Sequence, residues 1–429
     1  MKNLETDINC DLMIIGTGMA GMAAALFAAQ SGIDSCQAGA AGQLGFASGL
    51  IDVLGIHPVK KGRVAENPWQ AIENLHSDNP WHPYARMEIS EIKTAVKTVL
   101  AFLEDHGYPH VFHEEKNMTM PTAAGTLKPS YAVPHTMAAG PASLSRQEPC
   151  LLVDFSGLQG FSSRQIAAGL ADSWPKLRPV QISFPGASGE LHSERMARAL
   201  EARQNREKLT EAVSLHLGDA RSVALPAVLG ISRTLEVAGD IARGLGVPVF
   251  EIPTMVPGVT GLRLREKFEH NLPSMGIRQF LQQTVLEVHG RTGKRWKLEV
   301  GNITSSCMIY ARAVILCSGR FMGGGLHADR HGIKETVFGL PVAQPPDRAS
   351  WHHRDLLHPG GHPVNRAGLA VDEKFRPVDS EGKTLYNNVF AAGSVLAEQD
   401  WMRQKCGSGL AFATAYKAVN ACRELLEEN

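Results

Sequence analysis

The sequence predicts an α/β fold, in which a Rossmann-like FAD/NAD(P)-binding domain carries a second, inserted α/β domain. Three observations lead to this prediction. An apolar run, a glycine turn and an alanine-rich run follow one another within residues 12–30. Strand-like and helix-like runs then alternate through residues 146–255. Two later apolar runs, at 313–317 and 389–392, each lead into a turn made of serine and glycine.

The first pattern has the G-x-G-x-x-G spacing of a nucleotide-binding turn, at Gly16, Gly18 and Gly21. It follows a strand-like run, 12–15, and opens a helix-like run, 19–30, which is the context that such a turn requires. Gly16 permits the tight turn, Gly18 lets the backbone approach a pyrophosphate, and Gly21 lets the helix pack close to the strand. This order predicts nucleotide binding.

The start of the predicted helix is the expected phosphate site. Unpaired N–H groups and the helix dipole both attract anions there, so Met19 and Ala20 join the glycines as candidate cofactor contacts. The uncharged stretch 12–33 is also long enough for a membrane helix. Three glycines interrupt it and no basic cluster flanks it, so we reject both a membrane span and a signal peptide.

The second strand, expected at 33–38, lacks the acidic residue that usually follows it in a dinucleotide fold. Asp or Glu at that place binds the adenosine ribose. Here residues 36–39 read Cys-Gln-Ala-Gly, and no acid follows before Asp52. This departure weakens the usual ribose contact of NAD or FAD, and it leaves a mononucleotide flavin or an unusual FAD pose open.

The order of the runs divides the chain into three parts. Residues 1–145 form the first part of the nucleotide-binding domain, with a loop-rich insertion near 58–145. Residues 146–255 are the predicted inserted α/β domain, and residues 256–429 return to the first domain.

A glycine-rich stretch, residues 39–55, lies inside the first part. Such a stretch can bring backbone against a cofactor, which makes Ser48 and Gly49 candidate contacts. An ordinary loop is the alternative interpretation.

Composition argues against several kinds of partner and site. Lys plus Arg and Asp plus Glu are both 43, so charge gives no argument for a nucleic acid or an anionic membrane as partner. The seven cysteines contain no C-x-x-C, which argues against an iron–sulfur or zinc ligand set and a disulfide framework. The histidines within 352–362 lack metal-ligand spacing, so we interpret them as a polar loop and predict no metal. A reducing cytoplasm is the expected location.

The turns near the C-terminus, taken with the N-terminal one, resemble a two-dinucleotide-binding-domain flavoprotein of the fumarate reductase class. In that architecture the last glycine turn and the start of the last helix face the flavin, where the helix N-terminus stabilises negative charge on the reduced ring. The resemblance implies contacts at Ser318, Gly319, Gly393, Ser394, Gly407, Ser408, Gly409 and Leu410. Many flavoproteins place an acid where Ser394 stands, and a serine hydroxyl can still hydrogen-bond there.

The match narrows to one family. Seven segments of the chain resemble the B subunit of the anaerobic glycerol-3-phosphate dehydrogenase. They are residues 47–54, 261–264, 317–326, 330–335, 339–342, 372–377 and 392–396. The resemblance implies a flavin-binding subunit, assigned FMN in this family, with FAD as the alternative. It implies a larger FAD-containing A subunit, and a small iron–sulfur C subunit that attaches the pair to the membrane and passes electrons to quinone. The reaction would oxidise glycerol 3-phosphate to dihydroxyacetone phosphate, with no direct membrane insertion of this chain.

Such a reaction needs a flavin near the carbinol hydrogen, a base for the hydroxyl proton, and cations for the phosphate. Arg263, in a glycine-flanked stretch, and Lys128 are the candidate phosphate ligands; solvated surface charges are the alternative. No histidine can be assigned as the base from sequence, and His135 and His331 are candidates only. The catalytic residues therefore stay unassigned.

Two other functions stay open at this point. The chain could be a non-catalytic scaffold or an electron relay whose partner carries the alcohol oxidation. It could also be an independent FAD-dependent oxidoreductase of the fumarate reductase class, active without partners. The missing acid and Ser394 fit a modified flavin site and a degenerate one alike. If the chain is a subunit, it is cytoplasmic and reaches the inner face of the membrane through a partner.

Overall fold

The computed structural model describes residues 4–40, 43–186 and 189–428 of the 429-residue chain. The chain forms two compact units, and each is discontinuous in sequence. The first unit comprises residues 1–43, 52–99 and 268–429, and the second comprises residues 44–51 and 100–267. The second unit is therefore larger than the inserted domain expected at 146–255.

The helices of the described chain are α1 (Met19–Gln30), α2 (Pro68–Asp78), α3 (Ile89–Asp105), α4 (Ala139–Arg146), α5 (Ser163–Gly169), α6 (Ser193–Leu200), α7 (Arg203–Ser214), α8 (Thr234–Leu245), α9 (Val259–Asn271), α10 (Trp401–Gln404) and α11 (Gly407–Glu427). The strands are β1 (Leu4–Ile15), β2 (Ser35–Gly39), β3 (His110–Phe112), β4 (Met118–Pro121), β5 (Leu127–Ser130), β6 (Ala132–Pro134), β7 (Cys150–Phe155), β8 (Leu177–Ile182), β9 (Ser222–Pro226), β10 (Val249–Ile252), β11 (Arg278–Leu281), β12 (Thr284–Thr292), β13 (Arg295–Gly301), β14 (Ser306–Leu316), β15 (Leu326–Ala328), β16 (Ile333–Glu335) and β17 (Val389–Ala391). Among these helices, none is both long and apolar enough to cross a membrane.

The main sheet of the first unit has the strand order β11-β2-β1-β14-β13-β12, with β17 also paired to β14. The pairs of β1 with β2 and β14, and of β14 with β17, are parallel. The pairs of β13 with β12 and β14 are antiparallel and form a meander. The long strand β14 therefore belongs to both parts, through residues 306–311 in the meander and residues 314–316 in the pair with β17.

The centre of this sheet is apolar on both faces. Residues 12–15 of β1 and 313–316 of β14 are all buried, as expected for parallel strands covered on both sides. Helix α1 is buried from Ala20 to Ala28, and its many alanines let it pack closely on its neighbours. The predicted strand, glycine turn and helix agree with this structure, and the predicted Rossmann-like fold class is confirmed.

The second unit contains a four-stranded sheet in the order β10-β9-β7-β8, in which every pair is parallel. Helices α5, α6, α7 and α8 connect its strands, as parallel strands require. Its core includes Trp174 and Phe250, whose rings stack with centroids 6.2 Å apart. The alternation predicted within residues 146–255 agrees with this sheet.

Candidate flavin site

Three strand ends lie side by side at one edge of the first unit's sheet. The parallel registers align Ile15 of β1 with Leu316 of β14, and Leu316 with Ala391 of β17. The turns that start at Gly16 and Gly393 therefore leave the sheet on either side of the end of β14. The carboxyl edge of parallel strands is where α/β sheets bind ligands, so this edge is the candidate site.

The glycines of the first turn are required by the backbone around them. Gly16 has φ +131°, and a Cβ there would lie 2.2 Å from the carbonyl oxygen of Cys317. A Cβ on Gly21 would lie 2.0 Å from the carbonyl oxygen of Gly16. Both contacts are far shorter than a carbon–oxygen contact allows. The tight turn expected at Gly16 and the close helix packing expected at Gly21 agree with the structure.

The start of α1 is open to an anion. Gly18 is the N-cap with φ −80°, no side chain of the described chain caps it, and the first turn contains no acidic residue. The first N–H groups of a helix have no partner within the helix. Those of Met19 and Ala20 are therefore suited to a phosphate group, as the sequence predicts.

A buried side-chain amide hydrogen-bonds to the backbone of the first turn, and the sequence analysis did not identify it. Gln37 of β2 is fully buried, and its Nε2 donates to the carbonyl oxygen of Gly16 at 3.1 Å. Its Oε1 accepts from Nε2 of Gln279 on β11 at 2.8 Å. The sequence offers little signal for this role, because Gln37 is one of two polar residues in a short strand that also contains Ser35.

The end of β2 has no room for the acidic side chain that usually binds the adenosine ribose. A Cβ on Gly39 would lie 2.7 Å from the backbone nitrogen of Thr17 and 2.8 Å from its hydroxyl oxygen. The same hydroxyl donates to the carbonyl oxygen of Ala40 at 3.0 Å. The missing acid is thus a property of the packing at this place; residues 41 and 42, which follow, lie outside the described residues.

The last turn lies against the start of α1. Gly393 has φ +79°, and a Cβ there would lie 2.5 Å from the Cβ of Ala20. Its N–H donates to the hydroxyl of Thr414 on α11 at 2.8 Å. Ser394 follows, half-buried, and its carbonyl oxygen accepts from the side chain of Gln399 at 3.1 Å. The structure therefore brings the candidate residues Gly393 and Ser394 to those of α1.

The start of α11 is only partly available to a cofactor. The N–H of Gly409 donates to the carbonyl oxygen of Asp52 at 2.7 Å, and the N–H of Leu410 donates to the carbonyl oxygen of Cys406 at 2.8 Å. The Ser408 hydroxyl accepts from the Asp52 N–H at 3.4 Å. The chain itself therefore uses both N–H groups, and the cofactor roles of Gly409 and Leu410 stay predictions.

Gly409 has a packing role in the structure. A Cβ there would lie 2.7 Å from the hydroxyl oxygen of Tyr84 and 2.8 Å from the Cα of Val53. At the first position of the same helix, a Cβ on Gly407 would lie 3.0 Å from the ring of Trp401. Gly407 and Ser408, both half-buried, remain candidate contacts at this end of α11.

A hydroxyl without a partner lies at the end of β14. The Oγ of Ser318 is buried, and none of the described residues hydrogen-bonds with it. Gly319 follows with φ +72°, so the chain turns sharply there. A buried hydroxyl normally has a partner. Together with the open start of α1 and the glycine turns, it fits a site that a flavin nucleotide completes.

Ser48 and Gly49 belong to the second unit. Gly49 has φ +80°, and a Cβ there would lie 3.0 Å from the hydroxyl oxygen of Tyr108. Its carbonyl oxygen accepts from Nε2 of His110 at 3.0 Å, and the Ser48 hydroxyl accepts from the Leu50 N–H at 3.4 Å. Packing inside the second unit therefore accounts for this glycine, and the cofactor role of both residues stays a prediction.

Arg263 is not a phosphate ligand, which corrects the sequence prediction. Its side chain is fully buried, and its two terminal nitrogens donate to the two carboxylate oxygens of Glu251 at 2.6 and 2.8 Å. It also donates to the carbonyl oxygen of Gly230 at 2.7 and 2.9 Å. Burial alone would lower the pKa of Arg263, and the Glu251 carboxylate raises it above the ordinary value. The guanidinium has no face left for a substrate.

The other candidate residues for substrate chemistry are spread over the chain. Lys128, half-buried, lies on β5 opposite Met120, and His135 is exposed in the same unit. His331 is exposed in the first unit, where its Nε2 lies 2.9 Å from the Nε of Arg330. Their roles stay predictions.

The chain is similar to known flavoproteins over nearly all its length. A family model described as "FAD binding domain" matches residues 11–410. The probable B subunit of the anaerobic glycerol-3-phosphate dehydrogenase of Halobacterium salinarum is 31% identical over 436 residues, covering 98% of this chain and 99% of that protein. The B subunit of the anaerobic glycerol-3-phosphate dehydrogenase of Vibrio cholerae is 30% identical over 434 residues, covering 95% of each. These matches confirm the resemblance found in the sequence.

Among solved structures, a 3-ketosteroid Δ1-dehydrogenase from Sterolibacterium denitrificans is similar with a TM-score of 0.46 and 10% identity, covering 97% of this chain and 100% of that one. An E. coli quinol fumarate reductase gives a TM-score of 0.42 and 10% identity, covering 98% and 71%. The family description names FAD, which supports a flavin cofactor and gives no support to FMN. The chain therefore belongs to the FAD-binding flavoprotein family and, within it, to the B subunits of anaerobic glycerol-3-phosphate dehydrogenases.

Proposed function

We propose that this chain is a flavin-binding subunit of a quinone-linked anaerobic glycerol-3-phosphate dehydrogenase. In this proposal glycerol 3-phosphate is oxidised to dihydroxyacetone phosphate, and the electrons pass on through partner subunits. The observation that supports it is the carboxyl edge of the first unit, where glycine turns meet an uncapped helix start. This edge occurs in a chain that is similar over 98% of its length to a protein with that enzyme's name.

We propose FAD as the cofactor in preference to FMN, because the family description names FAD. A bound flavin would supply the acceptor for a hydride from the carbinol carbon. The N–H groups of Met19 and Ala20 would hold its phosphates, and Gly18 would let the backbone approach them. The buried hydroxyl of Ser318 would supply a hydrogen bond to it.

The relatives are named as the B subunit of their enzyme, which implies a complex of several subunits. We propose a larger FAD-containing A subunit and an iron–sulfur C subunit as the partners. The C subunit would carry electrons to quinone and hold the complex at the inner face of the cell membrane. This chain would then lie on the cytoplasmic side.

One observation favours the second candidate function, an electron relay or scaffold in which the partner oxidises the alcohol. The N–H of Gly409, one of the groups expected to face the flavin, is already bound to the carbonyl oxygen of Asp52. A site with fewer donors stabilises the charge of a reduced ring less. Cofactor content and substrate response separate the two candidate functions.

The first experiment measures the cofactor. The purified chain is denatured, and the released flavin is identified by chromatography and mass. We expect one FAD per chain, loss of flavin in Gly18→Val, and retention in Ala29→Val, which adds a bulky side chain near the other end of α1. Flavin retained by a folded Gly18→Val chain would place the phosphates elsewhere, and released FMN would overturn the choice of FAD.

The second experiment adds glycerol 3-phosphate anaerobically to the chain alone and with the A and C subunits. Bleaching of the flavin band in the chain alone supports substrate oxidation at this subunit. Bleaching only with the partners present, and in excess of the flavin that the A subunit carries, supports the relay. A chain that binds no flavin in any combination would contradict both and leave the scaffold.

A further inference from the structure

A cavity of about 540 Å³ opens in the first unit, in the range of small-molecule sites. The segment 353–367 forms most of its wall, and residues 343–345, Lys60 and Glu398 complete it. None of the predicted cofactor contacts lines this cavity. We call it the histidine cavity.

The lining of the histidine cavity is rich in groups that can carry positive charge. They are Lys60, His353, His358, His362 and Arg366, against the single carboxylate of Glu398. Lys60 and Arg366 are exposed, and neither forms an ion pair with any of the described residues. Two unpaired cations at the wall of a cavity are suited to an anionic ligand.

The hydrogen bonds of the imidazoles fix where their protons lie. Nδ1 of His362 accepts from the backbone N–H of His353 at 3.1 Å, and its Nε2 lies 3.1 Å from the carbonyl oxygen of Leu356, to which it donates. Nδ1 of His358 accepts from the N–H of Gly360 at 3.2 Å. A neutral His358 therefore carries its proton on Nε2, which makes that atom a hydrogen-bond donor.

The imidazoles also crowd one another. The rings of His353 and His358 stack with centroids 3.9 Å apart and an interplanar angle of 26°. Desolvation, followed by the nearby charges of His358, His362 and Lys60, lowers the pKa of His353. A bound anion would offset this repulsion between like charges.

The segment 353–367 is held by a residue that lies close in sequence to the candidate flavin site. The guanidinium of Arg320, two residues beyond Ser318, donates to the carbonyl oxygens of Val364, at 2.9 Å, and of Asn365. The Asn365 side chain in turn donates to the carboxylate of Asp400 at 3.2 Å. The chain that leaves the candidate flavin site at Ser318 thus holds the loop that carries Arg366.

The donor atoms of this cavity are not gathered for a metal ion. Within the described ranges, the group of potential ligands whose donor atoms lie within 4.8 Å of one another is Glu287, His289 and Glu299, on β12 and β13. The cations of the histidine cavity repel a metal ion as well. Its chemistry points to an anion.

We propose that the histidine cavity binds the phosphate group of the substrate, a small phosphate monoester dianion. Lys60 and Arg366 contribute charge, and Nε2–H of His358 contributes a directed hydrogen bond. Glu398 opposes phosphate binding and limits affinity for phosphate alone. This inference rests on the proposed function for the identity of the substrate, and on the cavity for the class of ligand.

The test is calorimetric binding of glycerol 3-phosphate, inorganic phosphate and glycerol to the purified full chain of known flavin content. Lys60→Gln and Arg366→Gln should each weaken glycerol 3-phosphate binding about tenfold, as expected for one charge-assisted contact. The matched controls Lys61→Gln and Arg354→Gln change exposed neighbours that do not line the cavity, and they should stay within about twofold of wild type. Glycerol, which lacks the phosphate, should not bind measurably.

Glu398→Gln tests the same proposal through an increase in affinity. A folding defect would not increase affinity. Removing the carboxylate should tighten binding of inorganic phosphate several-fold. Glycerol 3-phosphate binding that is unchanged in both Lys60→Gln and Arg366→Gln overturns the proposal. Inorganic phosphate that binds wild type as tightly as glycerol 3-phosphate overturns the assignment to substrate.

Flavin content separates this inference from the proposed function. Suppose that the chain carries flavin and responds to substrate, but glycerol 3-phosphate binding is unchanged in Lys60→Gln and Arg366→Gln. That result overturns the cavity site and leaves the proposed function standing. A chain without flavin that binds glycerol 3-phosphate through Lys60 and Arg366 supports the cavity site and contradicts the proposed function.

Discussion

The side-chain amide of Gln37 donates a 3.1 Å hydrogen bond to the carbonyl oxygen of Gly16, so a strand residue fixes the turn at the candidate phosphate site. Gln37 is fully buried and is held in turn by Gln279. A buried carbonyl oxygen that loses its donor costs about 1–3 kcal/mol. This contact therefore links the stability of the first unit to the shape of its cofactor site.

Gln37→Leu should lower the free energy of unfolding by about 1–3 kcal/mol and reduce flavin retention, because the Gly16 carbonyl loses its donor. Urea denaturation and the flavin content of the purified chain measure the two effects. Gln279→Leu is the matched control, since it keeps the bond to Gly16 and should retain flavin. Wild-type stability and flavin content in Gln37→Leu would contradict this role.

Gly393→Ala should destabilise the chain more than Gly339→Ala. Both glycines have positive φ, +79° and +65°, so each alanine costs about 1–2 kcal/mol in backbone conformation. A Cβ on Gly339 meets nothing within 4 Å, whereas one on Gly393 lies 2.5 Å from the Cβ of Ala20. We expect a further loss of about 1–3 kcal/mol for Gly393→Ala, together with loss of flavin. Equal melting temperatures in the two variants would show that the turn at Gly393 can move away from Ala20.

Arg263→Met should destabilise the second unit by about 3–5 kcal/mol, because it leaves the Glu251 carboxylate buried without its cation. Glu251→Gln in the same chain should recover part of this loss, since the amide oxygen can still accept from the Leu229 N–H. The control is Arg203→Met, whose exposed pair with Glu207 contributes about 0–1 kcal/mol. The measurement is the free energy of unfolding in denaturant. Equal losses in Arg263→Met and Arg203→Met would contradict the prediction.

His82 makes the first unit sensitive to acid. Its Nδ1 accepts from the Tyr84 N–H at 3.1 Å, and its Nε2 lies 3.3 Å from the side-chain oxygen of Gln404, which fixes the neutral ring. Burial lowers the pKa of His82 from 6.5 to about 3. Between these two values the unfolded chain binds the extra proton. Stability is therefore complete above pH 6.5 and falls as the pH drops toward 3, by at most about 1.4 kcal/mol per pH unit.

His82→Gln should flatten this pH dependence, although it lowers stability at neutral pH. The measurement is the free energy of unfolding in urea at several pH values between 7.5 and 5. The difference between wild type and His82→Gln should shrink as the pH falls. The exposed His327→Gln serves as the control and should keep the wild-type slope. A slope in His82→Gln equal to that of wild type would assign the acid sensitivity to other groups.

Local signals in the sequence were sufficient for the first turn. The spacing of Gly16, Gly18 and Gly21 reports backbone geometry within a few residues, and the structure has a tight turn and a close helix contact there. The same holds for the alternating strands and helices of the second unit, whose hydrophobic periods are also local.

Long-range partners explain where sequence reasoning failed. The sequence shows Arg263 in a glycine-flanked stretch, yet Gly261, two residues before it, lies on α9, where a Cβ would be 2.2 Å from the carbonyl oxygen of Leu44. The partners of Arg263, Glu251 and Gly230, come from other elements. Gln37 was likewise unremarkable until the fold placed Gly16 beside it.

The boundaries of the units depend on long-range pairing in the same way. Residues 44–51 belong to the second unit, where Ile51 exchanges backbone hydrogen bonds of 2.9 and 3.0 Å with Ala132. Nothing in the composition of that glycine-rich stretch predicts a pairing partner 81 positions later.

The pairing of β1 with β14 sets an order of events during synthesis. Leu4 pairs with Ser306 and Ile15 with Leu316, so the central pair of the first unit needs two segments made about 300 residues apart. The parallel sheet of the second unit draws only on residues 150–252, which leave the ribosome earlier. The N-terminal strand must therefore wait for β14 before its sheet can close, and until then its apolar face is a natural target for a chaperone.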